Sequence, residues 1–282
     1  MIAIIDTCTI LHLLQINYDD KYINLLEKTF EEVKIVPFVY VEICKNKYEN
    51  IIDVKNKELI DIIIFKQIKN FIANENFEKE DNFTKKSNHG KYKDNGESLS
   101  VGYALARSRI GENDFGENLL KTHFISDDSP AKNDFEYFFK INVLGQIIDS
   151  IDLMTIFCLK GFISKNEVLN YCNSLKQLYN KELSILLSTL KIYSHNQSDN
   201  IDSKEKMVIT KLIEILSAVD DDLVEKLNAL KENSSYKSII KRKFDWDNQL
   251  TRIIESNFRE KIPDINKRIT DFSKVWQIDY NK

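Results

Sequence analysis

Glycine and proline are scarce in this chain, 7 and 3 residues among 282. So few breakers fit long helices. Cysteine is also sparse: Cys8, Cys44, Cys158 and Cys172 lie far apart with no CxxC pair. That spacing argues against structural zinc and for a reducing, cytoplasmic setting. No run of about 18 apolar residues exists, so no membrane span is expected. The N-terminus lacks a basic segment and Asp6 interrupts its apolar run, so a signal peptide is not expected either. Walker and GxGxxG patterns are absent, and the four histidines form no Ser–His–Asp order. The net charge of −4 excludes a protein that coats nucleic acid wholesale. A local nucleic-acid site stays open, because bound cations can supply the positive charge that the sequence lacks.

What the chain does have is alternation. Residues 2–5, "IAII", read as a buried strand. Residues 11–30 read as helical, and "EVKIVP" reads as a second strand stopped by Pro37. Helices follow from Phe38 and over 55–73. The stretch 74–96 is polar and aperiodic and reads as a loop or disordered insert. Residues 97–108 form a small-residue helix, "HFISDD" a third strand, 130–139 a helix and "KINVLG" a fourth strand. Strands alternating with helices predict a parallel sheet covered on both faces. From about residue 146 everything reads helical, except a loop over 193–205. The predicted division is 1–178 for the α/β part and 179–282 for a helical C-terminal part.

Several of these elements deliver an acid to the same predicted edge. Asp6 ends the first strand, Glu42 and Glu97 sit in the first turns of helices, and Asp127 and Asp128 end the third strand. Ligands bind at the carboxyl ends of strands in open α/β sheets. Each acid alone has a plain explanation as a helix cap or a first-turn residue. Together they are costly, since each opposes ionisation of the others. A divalent cation offsets that cost. Oxygen donors with few His or Cys partners suit Mg²⁺ or Mn²⁺. Such ions support phosphodiester hydrolysis.

These residues resemble the motifs of the PIN-domain nucleases, a family that includes many bacterial ribonuclease toxins. "IIDTCTIL" resembles the first motif, "VPFVYVEI" the second, "NGESLSVGYALA" the third and "FISDDSPAKNDF" the fourth. "INVLGQIIDSIDLMTIFCLKGFISKNEVLNY" is similar to one subgroup, in which a strand leads to a helical pair ending in Gly. The likeness covers roughly 1–178. It implies an α/β/α sandwich around a central parallel sheet, with a helical C-terminal extension. It also implies metal-dependent endonuclease activity, on RNA rather than DNA, in a toxin or defence effector. Carried over, Asp6, Glu42, Glu97 and Asp128 are metal ligands and Asp127 is an additional or alternative one. Ser126 takes the hydroxyl position of the fourth motif and orients water or a carboxylate. Thr7 matches the small hydroxyl residue after the first acid. An inhibitory or activating protein partner would dock on the C-terminal helices, and self-association is compatible. The rival reading is a PIN-like scaffold or nucleic-acid-binding module that has lost the chemistry.

Secondary features are weaker. Lys85, Lys86, Lys91 and Lys93 cluster with Phe83, His89 and Tyr92 inside the insert. They read either as a grip on RNA phosphates beside the site or as a solvated loop. "KRK" at 241–243 reads more simply as a solvated helix face. His12, among apolar residues, reads as a satisfied core histidine, and Trp246 and Trp276 read as core aromatics.

Overall fold

The computed structural model describes residues 1–48, 51, 53–88, 90–109, 119–196, 203–218, 223–237 and 246–278. "KRK" and His89 lie outside this set, as does the side chain of Trp246. Four parallel strands form one sheet in the order β2-β1-β3-β4. They are β1 (Ile2–Ile5), β2 (Glu32–Lys34), β3 (Thr122–Ile125) and β4 (Gly145–Ile148). Helices α1 (Thr7–Asn17) and α2 (Lys21–Thr29) connect β1 to β2. Between β2 and β3 come α3 (Pro37–Asn46), α4 (Val54–Lys66), α5 (Glu78–Ser87) and α6 (Gly96–Ser108). Helix α7 (Ser129–Ile141) joins β3 to β4, and α8 (Ser150–Leu159) follows. Every residue of β1 is buried. That explains its continuous apolar run, the signature of a parallel strand covered on both faces.

The chain divides into two compact units, Met1–Tyr171 and Cys172–Lys282, with the division inside α9 (Lys165–Asn196). The second unit is helical among its described residues. It contains α10 (Ser203–Ala218), α11 (Leu223–Glu232) and the helices Trp246–Arg252 and Ile262–Ile278, joined by a π-helical stretch Ile253–Lys261. Its core includes Leu186, Leu190, Ile209, Leu212, Leu216 and Leu250. The expected loop over 193–205 is shorter on its described sides, since α9 runs to Asn196 and α10 starts at Ser203.

Three local expectations change. The helix expected over 11–30 breaks at Tyr18, which adopts φ 53° and donates its amide to Leu14 O at 2.9 Å. The insert expected to be unstructured contains α5. Its Glu78, Glu80 and Asp81 lie in the first turn and Lys85 and Lys86 in the last, which suits the helix dipole. Its few anchors are spaced beyond any short window. Phe77 meets the ring of Tyr103 edge-on at 5.3 Å, and Tyr92 donates to Asp81 at 2.7 Å. The fourth strand is Gly145–Ile148 rather than 140–145, because α7 continues to Ile141 and Val143 turns the chain at φ 54°.

Gly145 starts β4 at φ 146°, and a Cβ there would stand 2.0 Å from Thr122 O, a backbone atom of the neighbouring strand. Neither the dihedral nor the space admits a side chain. Gly145→Ala is expected to cost about 2 kcal/mol or more. Urea unfolding should report it as a lower midpoint at unchanged slope.

Candidate functional site

The sheet's order reverses between β1 and β3, and the residues leaving these two strands meet there. Such a switch point opens a crevice at the strands' carboxyl ends. Asp6 follows β1, and its amide donates to Ile125 O of β3 at 3.0 Å. It caps α1, with Thr7 N donating to Oδ1 at 2.7 Å. Its Oδ2 accepts from the Cys8 thiol at 3.0 Å and from the Ser126 hydroxyl at 3.0 Å. The Ser126 hydroxyl in turn accepts the Asp128 amide at 3.1 Å. Ser126 therefore joins the end of β1 to the start of α7.

Glu97 lies in the first turn of α6, which Asn95 caps by accepting from Ser98 N at 3.1 Å. Burial pushes the Glu97 carboxyl up to about 9, helped by a hydrogen bond with the Asp128 carboxyl and by the charges of Asp128 and Asp6. Burial likewise raises Asp6, against the hydrogen bonds from Cys8, Thr7 and Ser126, and the charge of Asp128 adds to the rise. Asp6, Glu97 and Asp128 therefore act on one another electrostatically.

Glu42 joins this group through a neighbour. The Thr7 hydroxyl donates to Glu42 Oε2 at 2.5 Å. Gly96 makes that approach of α3 to α6 workable: a Cβ on it would stand 2.7 Å from Glu42 Oε2 and 2.9 Å from Val39 Cγ2. The structure thus brings Asp6, Glu42, Glu97, Asp128 and Ser126 to one neighbourhood. All the carboxylate donors there are hard oxygens. Among the described residues, no group of three or more His, Cys, Asp and Glu side chains is arranged to hold a metal ion. Protein donors instead pin individual oxygens: Thr7 holds Glu42 Oε2, and Cys8 and Ser126 hold Asp6 Oδ2.

Asp127 does not join the group, which corrects its expected place beside Asp128. Its Oδ2 accepts from His12 Nδ1 at 2.6 Å and its Oδ1 from Ser150 N at 2.8 Å. Its amide donates to Thr9 Oγ1 at 3.1 Å, and that hydroxyl donates to Ile125 O at 3.4 Å. Burial acts to raise its carboxyl, but His12 and Ser150 outweigh burial and the net shift is downward. Asp127 is a brace tying α1, the end of β3 and the start of α8. His12 is the satisfied histidine that its apolar surroundings suggest. Nothing in the sequence pairs residue 12 with residue 127, so this link was invisible before the fold. Of the four lysines, Lys85 is engaged by Asp94 at 3.2 Å and lies 5.3 Å from the Tyr92 ring centre. Lys86, Lys91 and Lys93 are exposed.

The two acid environments predict opposite pH responses. Asp127 is depressed, so its stabilisation is present above the ordinary carboxylate range and disappears as pH falls through its folded value. Glu97 is raised, so in chelator the native state holds a proton that the unfolded chain has released. Stability then falls as pH rises from about 4.5 towards about 9. Glu97→Gln should flatten that alkaline decline in denaturation midpoints. Asp127→Ala should cost about 3 kcal/mol by leaving the brace broken, whereas Asp128→Asn should cost little. No family model matches this chain, and neither a curated protein nor a solved structure does.

Proposed function

We propose that this protein is a metal-dependent endonuclease of PIN type that hydrolyses phosphodiester bonds, RNA being its substrate. The observation that supports this reading is the meeting of Asp6, Glu97 and Asp128, with Glu42 alongside, at the switch point of a parallel sheet. Two acids with carboxyls raised by burial, Asp6 and Glu97, beside the charge of Asp128 make an electrostatic deficit. A hard divalent cation fits that deficit and this all-oxygen donor set. The residues that would hold it are Asp6, Glu42, Glu97 and Asp128. Bound Mg²⁺ or Mn²⁺ supplies a polarised water and neutralises charge on the phosphate oxygens.

The chain's own contributions follow from the hydrogen bonds. Thr7 N and Ser126 Oγ fix both oxygens of Asp6, so it enters the reaction with its rotamer set. The Thr7 hydroxyl does the same for Glu42. The Glu97 carboxyl, raised by burial and by its hydrogen bond with Asp128, holds a proton that a bound cation would displace. Proton release on metal addition near neutral pH is therefore part of the reading.

The reading carries further expectations. An effector of this kind in the cytoplasm, toxin or defence nuclease, needs a restraining partner. The helical region after 178 is the docking surface proposed for it, and self-association is compatible. No described helix is long and apolar enough to cross a membrane.

The test is a Mg²⁺ and Mn²⁺ titration followed by incubation with mixed-sequence RNA and single-stranded DNA. Cleavage should require the ion, and Asp6→Asn should lower it at least about a hundredfold while circular dichroism stays native. An Asp6→Asn variant as active as the parent sinks the proposal. A protein that neither gains thermal stability with either ion nor cuts either substrate is a scaffold. Gly96→Ala should weaken Mn²⁺ affinity severalfold through displacement of Glu42, measured by calorimetry, while shifting the melting temperature by only a few degrees.

A further inference from the structure

The two edges of the sheet are finished differently. Just past β2, Ile35 bridges in parallel to Ile72, and its amide donates to Phe71 O at 2.9 Å. β2 itself alternates Glu32 and Lys34. Charge and added cover of this kind blunt an edge against unwanted pairing. The opposite edge is β4, whose sequence "GQII" carries neither a charge nor a proline.

The ladder to β3 fixes which backbone groups of β4 look outward. Thr122 N donates to Leu144 O at 3.2 Å, and Ser126 N donates to Ile148 O at 2.9 Å. Backbone groups alternate in direction along a strand, so Gly145 and Ile147 turn theirs away from β3. Among the described residues nothing takes up these two outward amides. They lie along a cavity of about 620 Å³, lined by all four residues of β4, with α7 and α8 supplying its walls.

A strand edge on the floor of a groove is the receiving half of strand addition. Main-chain hydrogen bonds hold the guest and its alternate side chains select it. The walls state the selection. Lys132, Glu136 and Lys140 come from α7, four residues apart and so on one face, each about 6 Å along the helix from the last. Alternate residues of a strand advance by about 6.6 Å. Three successive side chains on one face of a guest strand therefore meet these three in turn, which calls for acid, base and acid. On α8, Asp152 already accepts from the Asp149 amide at 3.2 Å. Ile156 and Leu120, the latter 66% exposed, add apolar surface to the groove.

We propose that β4 receives an extended segment of another protein as a further strand, the segment alternating apolar residues with an acid, a base and an acid. A second copy cannot supply it through its own β4, which lies on the floor of the same groove between α7 and α8. The order of charges reads alike from both ends, so the guest enters in either direction. The inference does not rest on the acid cluster.

The probe is a labelled peptide, aspartate–valine–lysine–valine–glutamate between capped glycines, titrated into the full chain by fluorescence anisotropy. Lys132→Glu combined with Lys140→Glu should weaken it at least about tenfold. The charge-swapped peptide, lysine–valine–glutamate–valine–lysine, should prefer that double variant to the parent. N-methylation of one alternate set of peptide amides should abolish binding and methylation of the other set should leave it intact, since only one set faces β4. Hydrogen exchange at the Gly145 and Ile147 amides should slow at least about tenfold on binding. No binding of the first peptide, equal affinity for both methylated forms, no charge-swap preference or unchanged exchange at these amides each overturns the inference. A protein that runs as a dimer, and loses the dimer in the double variant, has a second copy in the groove and overturns it too.

Discussion

Like charges gathered at the end of a buried sheet push one another apart, and the surroundings of Asp6 are built to resist that push. Thr7 N, the Cys8 thiol and the Ser126 hydroxyl all donate to its carboxylate. Burial, with the hydrogen bond and charge of Asp128 added, holds the Glu97 carboxyl high. Glu42 is held by a hydroxyl rather than a cation. None of these devices neutralises the cluster. Each fixes an oxygen in place while leaving the collective charge for something else to balance. Replacing any of these acids with an amide would relieve the repulsion.

The cluster depends in turn on the brace formed by Asp127. One carboxylate links His12 on α1 to the first amide of α8. The neighbouring Ser126 and Asp128 then face the opposite way, towards Asp6. Two adjacent acids, equivalent on paper, thus take different places: one is buried against a histidine with its carboxyl held low, the other lies beside Glu97 and Asp6. Their environments separate them, as environment separates carboxylates generally.

That division marks the boundary of what the sequence could reveal. The parallel sheet was legible because β1 is an unbroken apolar run ending in an acid, because β3 has apolar Phe124 and Ile125 shortly before its acids, and because helical periods separate them. The proximity of Asp6, Glu42, Glu97 and Asp128 was legible from their positions at element boundaries, given that strand ends converge. Side-chain direction was not, because Asp127 and Asp128 differ only through partners on other elements of the chain. Helix α5 was hidden by its polarity. Its hold on the fold comes from Phe77 and from a tyrosine outside it, contacts that no period within the segment announces. The fourth strand was misplaced by a few residues because Val143 and Leu144 are apolar yet form the turn, and the glycine that starts the strand looked like its end.

The reach of the Asp127 brace has a consequence for how the molecule comes into being. Its components are encoded near residues 9–12, 125–127 and 150, so it cannot close on a chain still being synthesised until α8 has left the ribosome. Until then the loop bearing Ser126 and Asp128 has its links to Asp6 and Thr9 but not the one to Ser150. A truncated or nascent product ending before residue 150 would carry every acid of the cluster and lack the Ser150 side of the brace.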